Sequence, residues 1–475
     1  MSKQMKETGG QPGISSISIK MFLGSIAVIA ALMIVTYILT KVIPAGEFAR
    51  ITDEAGNTLI DNGSFHYVEG GIPFWKWILS PFLVLGSSGS GLLIAVIVFL
   101  LIIGGIFYCL EACGMMKYLM NKLIFLFAGK KYRLMAVLIF FFMLLGAFVG
   151  SFEEVIPLVP IVVGLAVGLG WDTMTGMAMS LLAVGCGFAS GVCNPFTVGV
   201  AQTLAGLPMF SGISLRLLAF VLIYVLLTAF VMLRAKKVEK ERQAAGDLVK
   251  DRNFLTNSSL EKASVSFAVT LGAGIVLVLV SGLVTFLQDY TLIIMALAFL
   301  IGGIVAAVQA GMKAADFFRE FGKGVTGILP AVLMILMASS IKYTLEEAKV
   351  LDSILNEAVS LAGIMPREAV ILFIYLIVLV MNFFISSGSA KAFMLIPIII
   401  PLAQIFNVSP QLCIMAFAFG DGFSNVFYPT NAGLLVSLSI SGVSYGKWFR
   451  YSWLFQLLNL LLTSGILLLG LAVGY

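Results

Sequence analysis

Two adjacent carboxylates, Glu153 and Glu154, lie in the middle of an apolar stretch, with about 16 largely apolar residues on each side. Downstream, a cluster of Gly, Ser, Asn and Pro between Gly187 and Thr197 interrupts a second apolar stretch. In a bilayer, charge and irregular backbone are stable only where protein or a water-filled cavity surrounds them. Residues 148–202 are therefore either a substrate site or a poorly formed membrane helix, and a related pattern at 384–438 favours the site.

The composition of the whole chain is that of a polytopic membrane protein. Of its 475 residues 60% are hydrophobic and 11% are charged, whereas soluble domains are nearer half apolar and a quarter charged. The net charge of +5 does not indicate nucleic acid binding, because the basic residues cluster in short loops between apolar runs. The single histidine, His66, lies in a polar loop, and the five cysteines lie in or beside apolar runs. We expect no enzyme activity, no cofactor and no nucleic acid partner; the expected partners are a small-molecule substrate and the lipid bilayer.

Apolar runs of about 20 residues, long enough to cross a bilayer, predict an all-α protein with about nine transmembrane helices and two re-entrant hairpins. Basic loops are retained in the cytoplasm, which places the N-terminus inside and the acidic loop at 44–71 outside, with a small β-hairpin near Glu54. The predicted segments are a disordered cytoplasmic N-terminus at 1–18, a first half at 19–233, a cytoplasmic linker at 234–263 and a second half at 264–475.

Each half is predicted to contain a re-entrant hairpin followed by an interrupted helix. The predicted elements are a hairpin at 134–168, a helix at 173–207 interrupted at 185–197, a hairpin at 367–405, and a helix at 409–440 interrupted at 420–431. Two ordinary short spans are the alternative for the first hairpin. Only the hairpin leaves the basic loops consistently inside.

A shift of 234 positions aligns the two interrupted helices without gaps. The matched pairs are Ser190 with Ser424, Val192 with Val426, Pro195 with Pro429, Gly199 with Gly433, Leu204 with Leu438, Gly212 with Gly446, and Arg216 with Arg450. The charge argument places Arg216 near the outside and Arg450 inside, so the copies would have opposite topology. Inverted repeats with interrupted helices indicate an alternating-access transporter. The alternative is that Gly, Ser and Pro here only allow tight packing or a kink.

The polar residues of these segments form the candidate site. Helix N-termini at the turns and breaks suit a carboxylate, and Ser, Asn and Thr oxygens with freed carbonyls suit Na⁺ or an ammonium group. Proline would enforce each break by removing a backbone donor and clashing with the preceding turn. The candidate substrate-binding residues are Ser151, Glu153, Glu154, Asn194, Thr197, Ser387, Ser389, Lys391, Thr430 and Asn431; the candidates for ion coupling by Na⁺ or H⁺ are Ser190, Asp421, Ser424 and Asn425; the helix-breaking residues are Pro195 and Pro429.

The charged candidates each have more than one interpretation. Glu153 and Glu154 could bind a cationic substrate or carry a proton, or one could cap the helix that starts after the Gly150 turn. Neighbours on a helix point about 100° apart, so one of the two is expected to face the cavity. Lys391 could pair with a substrate carboxylate or with the glutamates, and Asp421 could bind an ion or cap the interrupted helix.

At these residues the chain resembles the YfcC-type carriers, which are grouped with the C4-dicarboxylate anaerobic carriers and the basic amino-acid antiporters. The resemblance runs from Ile19 to the C-terminus, and its motifs are Gly150-Ser-Phe-Glu-Glu154, Gly187-Phe-Ala-Ser190, Asn194-Pro195, Asn382-Phe-Phe384, Ser387-Gly-Ser389, Phe419-Gly-Asp-Gly-Phe-Ser424 and Tyr428-Pro-Thr430. It implies an elevator-type fold with a scaffold and a moving transport domain. It also implies a homodimer in the bacterial inner membrane.

Together these features predict a secondary active transporter of a small charged organic solute. The preferred substrate is an amino acid of the arginine or ornithine type, exchanged against a related amino acid or driven by an ion gradient. The alternative is a C4-dicarboxylate carrier, in which Lys391 and the Ser/Asn clusters would bind the anion.

Overall fold

The computed structural model describes residues 19–52, 58–61, 63–87, 90–150, 152–208, 210–244, 257–281, 290–362 and 365–475. Within these residues, ten helices are long and apolar enough to cross a membrane. The predicted helical membrane protein is therefore confirmed. The predicted disordered segment 1–18 and the candidate Ser151 lie outside the described residues.

The last helix of the first half is long and continues beyond residue 233, the predicted end of that half. Their bounds are Ile19–Val42, Phe74–Leu83, Ser90–Ala112, Met115–Phe127, Lys131–Leu144 with a π-turn at Leu145–Val149, the 3₁₀ segment Glu153–Leu158, Val159–Gly168, Thr173–Met177 with a π-turn at Ala178–Leu182, Ala183–Ser190, the π-turn Pro195–Gly199, Val200–Leu204 and Ile213–Ala244. The last helix extends into the segment that the sequence assigned to the linker at 234–263.

The helices of the second half are fewer and longer. Their bounds are Ser258–Ser281, Thr291–Gln309, Ala314–Glu347, Leu351–Ala362, Arg367–Phe384, Gly388–Ile405, Pro410–Asn425, Ala432–Ile440 and Tyr445–Val473. Ala314–Glu347 is one continuous helix, in spite of Pro330 within it.

Five helices pack into one group, which we call the scaffold group. Its members are Ile19–Val42, Ser90–Ala112, Ser258–Ser281, Thr291–Gln309 and Ala314–Glu347. Two of them cross at glycines: a Cβ on Gly324 would lie 2.2 Å from the Gly104 carbonyl oxygen. Small residues allow such close backbone approach in membrane proteins, where lipid removes most of the hydrophobic drive to associate.

The two hairpins and the two interrupted helices pack into a second group, which we call the core group. Helices Ile213–Ala244 and Tyr445–Val473 also belong to it. The first arm of each hairpin packs along the first part of the interrupted helix that follows it, and Ala183–Ser190 packs against Pro410–Asn425. The two halves therefore meet along their interrupted helices.

Two short pairs of antiparallel strands lie in the loop after the first helix. Arg50–Thr52 pairs with Thr58–Ile60, and Gly46–Glu47 pairs with His66–Tyr67. The predicted small hairpin is present, although its turn at 53–57 lies outside the described residues. Asp352 fixes this loop, because its carboxylate accepts the Phe48 N–H at 3.0 Å and pairs with Arg50 at 2.8 Å.

Both helix interruptions are shorter than predicted. The first helix continues to Ser190 and resumes at Pro195, and the second continues to Asn425 and resumes at Ala432. The glycines that suggested earlier breaks lie inside helices and allow close packing. A Cβ on Gly187 would lie 2.0 Å from the Met143 carbonyl oxygen, and a Cβ on Gly422 would lie 2.3 Å from the Ala189 Cα.

Candidate functional site

The turn of the first hairpin lies against the first helix interruption. Gly150 has φ +73°, a left-handed conformation that glycine adopts without a steric penalty. A Cβ at this position would lie 2.4 Å from Asn194 Oδ1. A side chain larger than hydrogen at the turn would therefore displace Asn194.

The two glutamates beyond this turn have different surroundings. Glu154 is buried, with 8% of its surface exposed, and its carboxylate accepts the Phe152 N–H at 3.1 Å. It therefore caps the start of the 3₁₀ segment, the structural role that the sequence offered as the alternative. Glu153 is half-buried. Among the described residues, neither glutamate forms a salt bridge.

At the first interruption, the chain turns through Gly191, with φ +54°, and the helix resumes under an Asn194 cap. Asn194 Oδ1 accepts the N–H groups of Phe196 at 3.0 Å and Thr197 at 3.3 Å. Pro195 is the first residue of the resumed helix, where its missing N–H costs nothing. It therefore starts a helix, and the prediction that it breaks one by clashing with a preceding turn is wrong.

Several buried polar atoms near the interruptions have no hydrogen-bond partner within the described part of the chain. They are Asn194 Nδ2, Thr197 Oγ1, Asp421 Oδ2 and Thr430 Oγ1. A buried polar atom without a partner costs about 1–3 kcal/mol, so such a group of atoms indicates a binding site. Ser190 does not belong to it, because its hydroxyl donates to the Gly187 carbonyl at 2.6 Å.

The turn of the second hairpin carries Lys391 into the protein interior. The turn ends at Ser387, whose hydroxyl accepts the Ala390 N–H at 3.4 Å, and Ser389 lies half-buried in the first turn of the next helix. Lys391 is fully buried, and its ammonium contacts Asp421 Oδ1 at 2.5 Å. It also donates to Asn382 Oδ1. The interpretation that Lys391 pairs with the glutamates is therefore wrong.

Asp421 lies inside the helix Pro410–Asn425 and caps neither end of it. Its capping role is therefore excluded, and its Oδ1 is held by Lys391. Its neighbours join the same network: Asn382 Nδ2 donates to Ser424 Oγ at 2.6 Å and to Asn425 Oδ1 at 3.0 Å. Three of the ion-coupling candidates thus belong to a network that Asn382 joins to Lys391.

The second interruption resembles the first in its cap, but the proline lies elsewhere. Asn431 Oδ1 accepts the Leu434 N–H at 3.0 Å and so caps the resumed helix. Pro429 and Thr430 lie in the link before it. Asn431 stands three positions beyond Tyr428, the residue that the 234-position shift pairs with Asn194. The gapless shift therefore aligns the two prolines but not the two capping asparagines.

Each hairpin turn touches the interrupted helix of the other half. A Cβ on Gly388 would lie 2.7 Å from both Asp421 Oδ2 and Thr197 Cγ2. A Cβ on Gly433 would lie 2.6 Å from the Phe152 ring. The structure thus brings together Asn194, Thr197, Lys391, Asp421 and Asn431 from the two halves.

Asn382 is the central residue that the list of candidates omits. It lies in the first arm of the second hairpin, and all its side-chain contacts are buried. Its signal in the sequence is a single amide within the apolar run 370–385. A polar side chain at such a depth has to find a partner.

A family model of the C4-dicarboxylate anaerobic carriers, DcuC, matches residues 22–473. The chain belongs to this carrier family. The Escherichia coli (strain K12) protein YfcC, provisionally named a basic amino acid antiporter, is 29% identical over 406 residues, which are 82% of this chain and 80% of YfcC. An uncharacterized protein of Haemophilus influenzae is 22% identical over 387 residues, covering 80% of this chain and 75% of that protein.

Two solved transporter structures are similar to this member of the carrier family. The Alcanivorax borkumensis YdaH transporter aligns with a TM-score of 0.42 at 17% identity, covering 96% of this chain and 99% of that chain. The Neisseria gonorrhoeae MtrF structure, described as one of a class of antimetabolite efflux pumps, aligns with a TM-score of 0.43 at 14% identity. The alignment covers 93% of this chain and 94% of the MtrF chain. The family match establishes the chain as a membrane transporter.

Proposed function

We propose that this carrier exchanges cationic amino acids of the arginine or ornithine type across the bacterial inner membrane. The observation that carries the proposal is the engagement of the Lys391 ammonium by Asp421 and Asn382. Lys391 is therefore not available to a substrate carboxylate. At the hairpin turns, Glu153 and Glu154 are acidic side chains that form no salt bridge within the described residues.

Electrostatics favours a cationic substrate over a dicarboxylate at such a site. At an effective dielectric constant of about 20, two unit charges about 6 Å apart interact by roughly 3 kcal/mol. A substrate ammonium or guanidinium near Glu153 would gain this energy, whereas each carboxylate of a C4-dicarboxylate would lose it. The relative YfcC, provisionally named for basic amino acids, is consistent with this choice.

The substrate α-carboxylate would bind to side chains at the first interruption. The N–H groups of Phe196 and Thr197 are already taken by Asn194 Oδ1. The amide nitrogen of Asn194 and the hydroxyl of Thr197 have no partner among the described residues. These two donors suit a carboxylate, and the positive end of the resumed helix adds to their attraction.

We further propose that the core group moves against the scaffold group as an elevator. The hairpin turns and both interruptions belong to the core group, so a substrate held there would move with it. Basic loops at 117–133 and 234–262 support a cytoplasmic N-terminus and, with it, an opposite topology of the two halves. The scaffold group would form the interface of a homodimer.

Counterflow in proteoliposomes tests the substrate directly. Vesicles of the purified protein, loaded with unlabelled ornithine, are given labelled arginine outside. We expect uptake that stops when internal ornithine is omitted, because exchange needs a substrate on both sides. Parallel vesicles are loaded with succinate and given labelled fumarate.

The two arms of this experiment have opposite consequences. Arginine counterflow with no fumarate counterflow supports the proposal. Fumarate counterflow with no arginine counterflow overturns it in favour of a dicarboxylate carrier. Protein-free vesicles give the background for both arms.

A further inference from the structure

Lys391 lies where a carrier of this design could hold a coupling cation. Its ammonium has two oxygen partners, Asp421 Oδ1 at 2.5 Å and Asn382 Oδ1. Carboxylate and amide oxygens are the groups that bind hard cations such as Na⁺ or Mg²⁺ in proteins. Both partners and Lys391 itself are buried. The ammonium is therefore held by two oxygens of the kind that bind hard cations.

The contacts of this ammonium join three separate elements. Asn382 belongs to Arg367–Phe384, Lys391 to Gly388–Ile405, and Asp421 to the interrupted helix Pro410–Asn425. The two hairpin arms are thus tied to the interrupted helix through one charged group. A coupling ion bound here would join the same elements.

The lysine also fixes the orientation of a chain of amides. An ammonium only donates, so it requires the oxygen of the Asn382 amide to face it. The nitrogen of that amide then donates towards Ser424 and Asn425. Asn425 Oδ1 accepts from Asn431 Nδ2 at 3.2 Å, and Asn431 caps the resumed helix. The position of Lys391 thereby affects the second helix interruption, two amides away.

We propose that the ammonium of Lys391 is a built-in cation that takes the place of a coupling Na⁺, so that exchange by this carrier needs no Na⁺. This inference rests on the proposed transport function and states that the exchange does not depend on Na⁺. The Lys391–Asp421 pair is neutral as a unit, so no counter-ion has to enter with it. Lys391 is a positioning residue: it acts on the site through Asn382 and Asp421.

The first hairpin has no lysine at the corresponding place. After its turn, the first hairpin carries Glu153 and Glu154, whereas the second carries Lys391. Asn194 Nδ2 and Thr197 Oγ1 in the first half remain without partners in the described residues, whereas Asn382 and Asn425 in the second half are engaged. The lysine network thus engages the amides of the second half, although Asp421 Oδ2 and Thr430 Oγ1 there also lack partners among the described residues.

The test compares Na⁺ with choline in two readouts. Arginine counterflow is measured in vesicles with all Na⁺ replaced by choline, and thermal unfolding of the detergent-purified protein is measured in the same two salts. For the unmodified protein we expect counterflow rates equal within about twofold and no Na⁺-dependent shift of Tm. A rate that falls to background in choline overturns the proposal.

Lys391→Ala tests whether transport and stability become dependent on Na⁺ when the lysine is removed. It removes the cation and leaves the Asp421 carboxylate buried next to a new space. We expect Na⁺ to raise the Tm of this variant by several degrees and to raise its counterflow at least fivefold over choline. A purely structural role for Lys391 would lower stability equally in both salts, and that result overturns the proposal.

The double variant Lys391→Met with Asp421→Asn is the control for charge. It has neither the ammonium nor the carboxylate, and we expect its Tm to be the same in Na⁺ and choline. A Na⁺-dependent Tm in this variant would overturn the assignment of Asp421 as the cation ligand. If no arginine counterflow is seen in any medium but the three Tm patterns hold, the substrate assignment fails and this inference stands.

Discussion

Gly187 lies so close to Met143 that a Cβ on Gly187 would come within 2.0 Å of the Met143 carbonyl oxygen. This contact holds the first arm of the first hairpin against the interrupted helix that follows it. Gly146, on the hairpin arm, lies equally close to the interrupted helix: a Cβ added to it would lie 2.2 Å from the Val184 carbonyl oxygen. Two backbones at this distance leave no room for a methyl group.

Gly187→Ala should therefore separate the first hairpin from the interrupted helix. The obstacle is backbone on both sides, so side-chain rotation does not relieve it, and overpacking of this kind costs about 1–3 kcal/mol. We expect a lower Tm in detergent and reduced arginine counterflow. The matched control is Gly272→Ala, where nothing lies within 4 Å of the added Cβ. Equal Tm values for the two variants would contradict the close approach.

Asn194 serves the fold and the proposed substrate through different atoms. Asn194→Ala removes the cap and should cost about 1 kcal/mol of stability. Asn194→Asp keeps a cap oxygen but replaces the donor nitrogen with a second, negatively charged acceptor. We expect Asn194→Asp to retain the Tm and to raise the KM for arginine at least tenfold. If Asn194→Asp transports arginine with an unchanged KM, the amide nitrogen does not contact the substrate carboxylate.

Asp172 links the start of the first interrupted helix to the helix Ile213–Ala244. Its carboxylate accepts the Thr175 N–H at 3.0 Å and pairs with Arg234. Burial raises the pKa of Asp172, but the bonds from Arg234 and Thr175 outweigh it and hold the pKa below its ordinary value. The group therefore stabilises the fold above its unfolded pKa, about 4, and loses this contribution as pH falls through the folded pKa.

Because the contribution of Asp172 depends on its ionisation, Asp172→Asn should be less stable than the unmodified protein only at a pH where Asp172 is ionised. Asp172→Asn keeps the helix cap but loses the ion pair, so it should lower the free energy of unfolding by about 1 kcal/mol at pH 7. Its difference from the unmodified protein should shrink as pH falls below about 4. Tm measured between pH 3 and pH 8 checks this. A difference that stays constant over that range would show that the pair is not the cause.

The sequence predicts the helices well because their signal is local. Apolar runs of spanning length mark most of them, and the basic loops separate them. The helix ends at the interruptions are harder to predict, since glycine has two uses. Gly191 has a positive φ and ends a helix, whereas Gly187 and Gly422 stay helical and allow neighbours to approach. Only the neighbours distinguish these uses, and neighbours come from distant parts of the chain.

The charged network of the second half was the least predictable part of the site. Lys391 and Asp421 lie on different elements and meet only when the second hairpin packs on the interrupted helix. Asn382 completes the network from a third element. The capping role of Glu154, by contrast, is local, because the carboxylate reaches back two residues to Phe152. That role followed from the Gly150 turn and the position of the glutamate after it.

Glu153→Gln tests whether the carboxylate of Glu153 attracts the positive charge of an amino acid. The variant keeps the size of the side chain and removes its charge. The matched control is Glu368→Gln, because Glu368 is an exposed glutamate in the first turn of Arg367–Phe384. In arginine counterflow, we expect a KM at least tenfold higher for Glu153→Gln, with an unchanged Tm, and no effect of Glu368→Gln. An unchanged KM for arginine in Glu153→Gln would show that Glu153 does not bind the positive charge of the substrate.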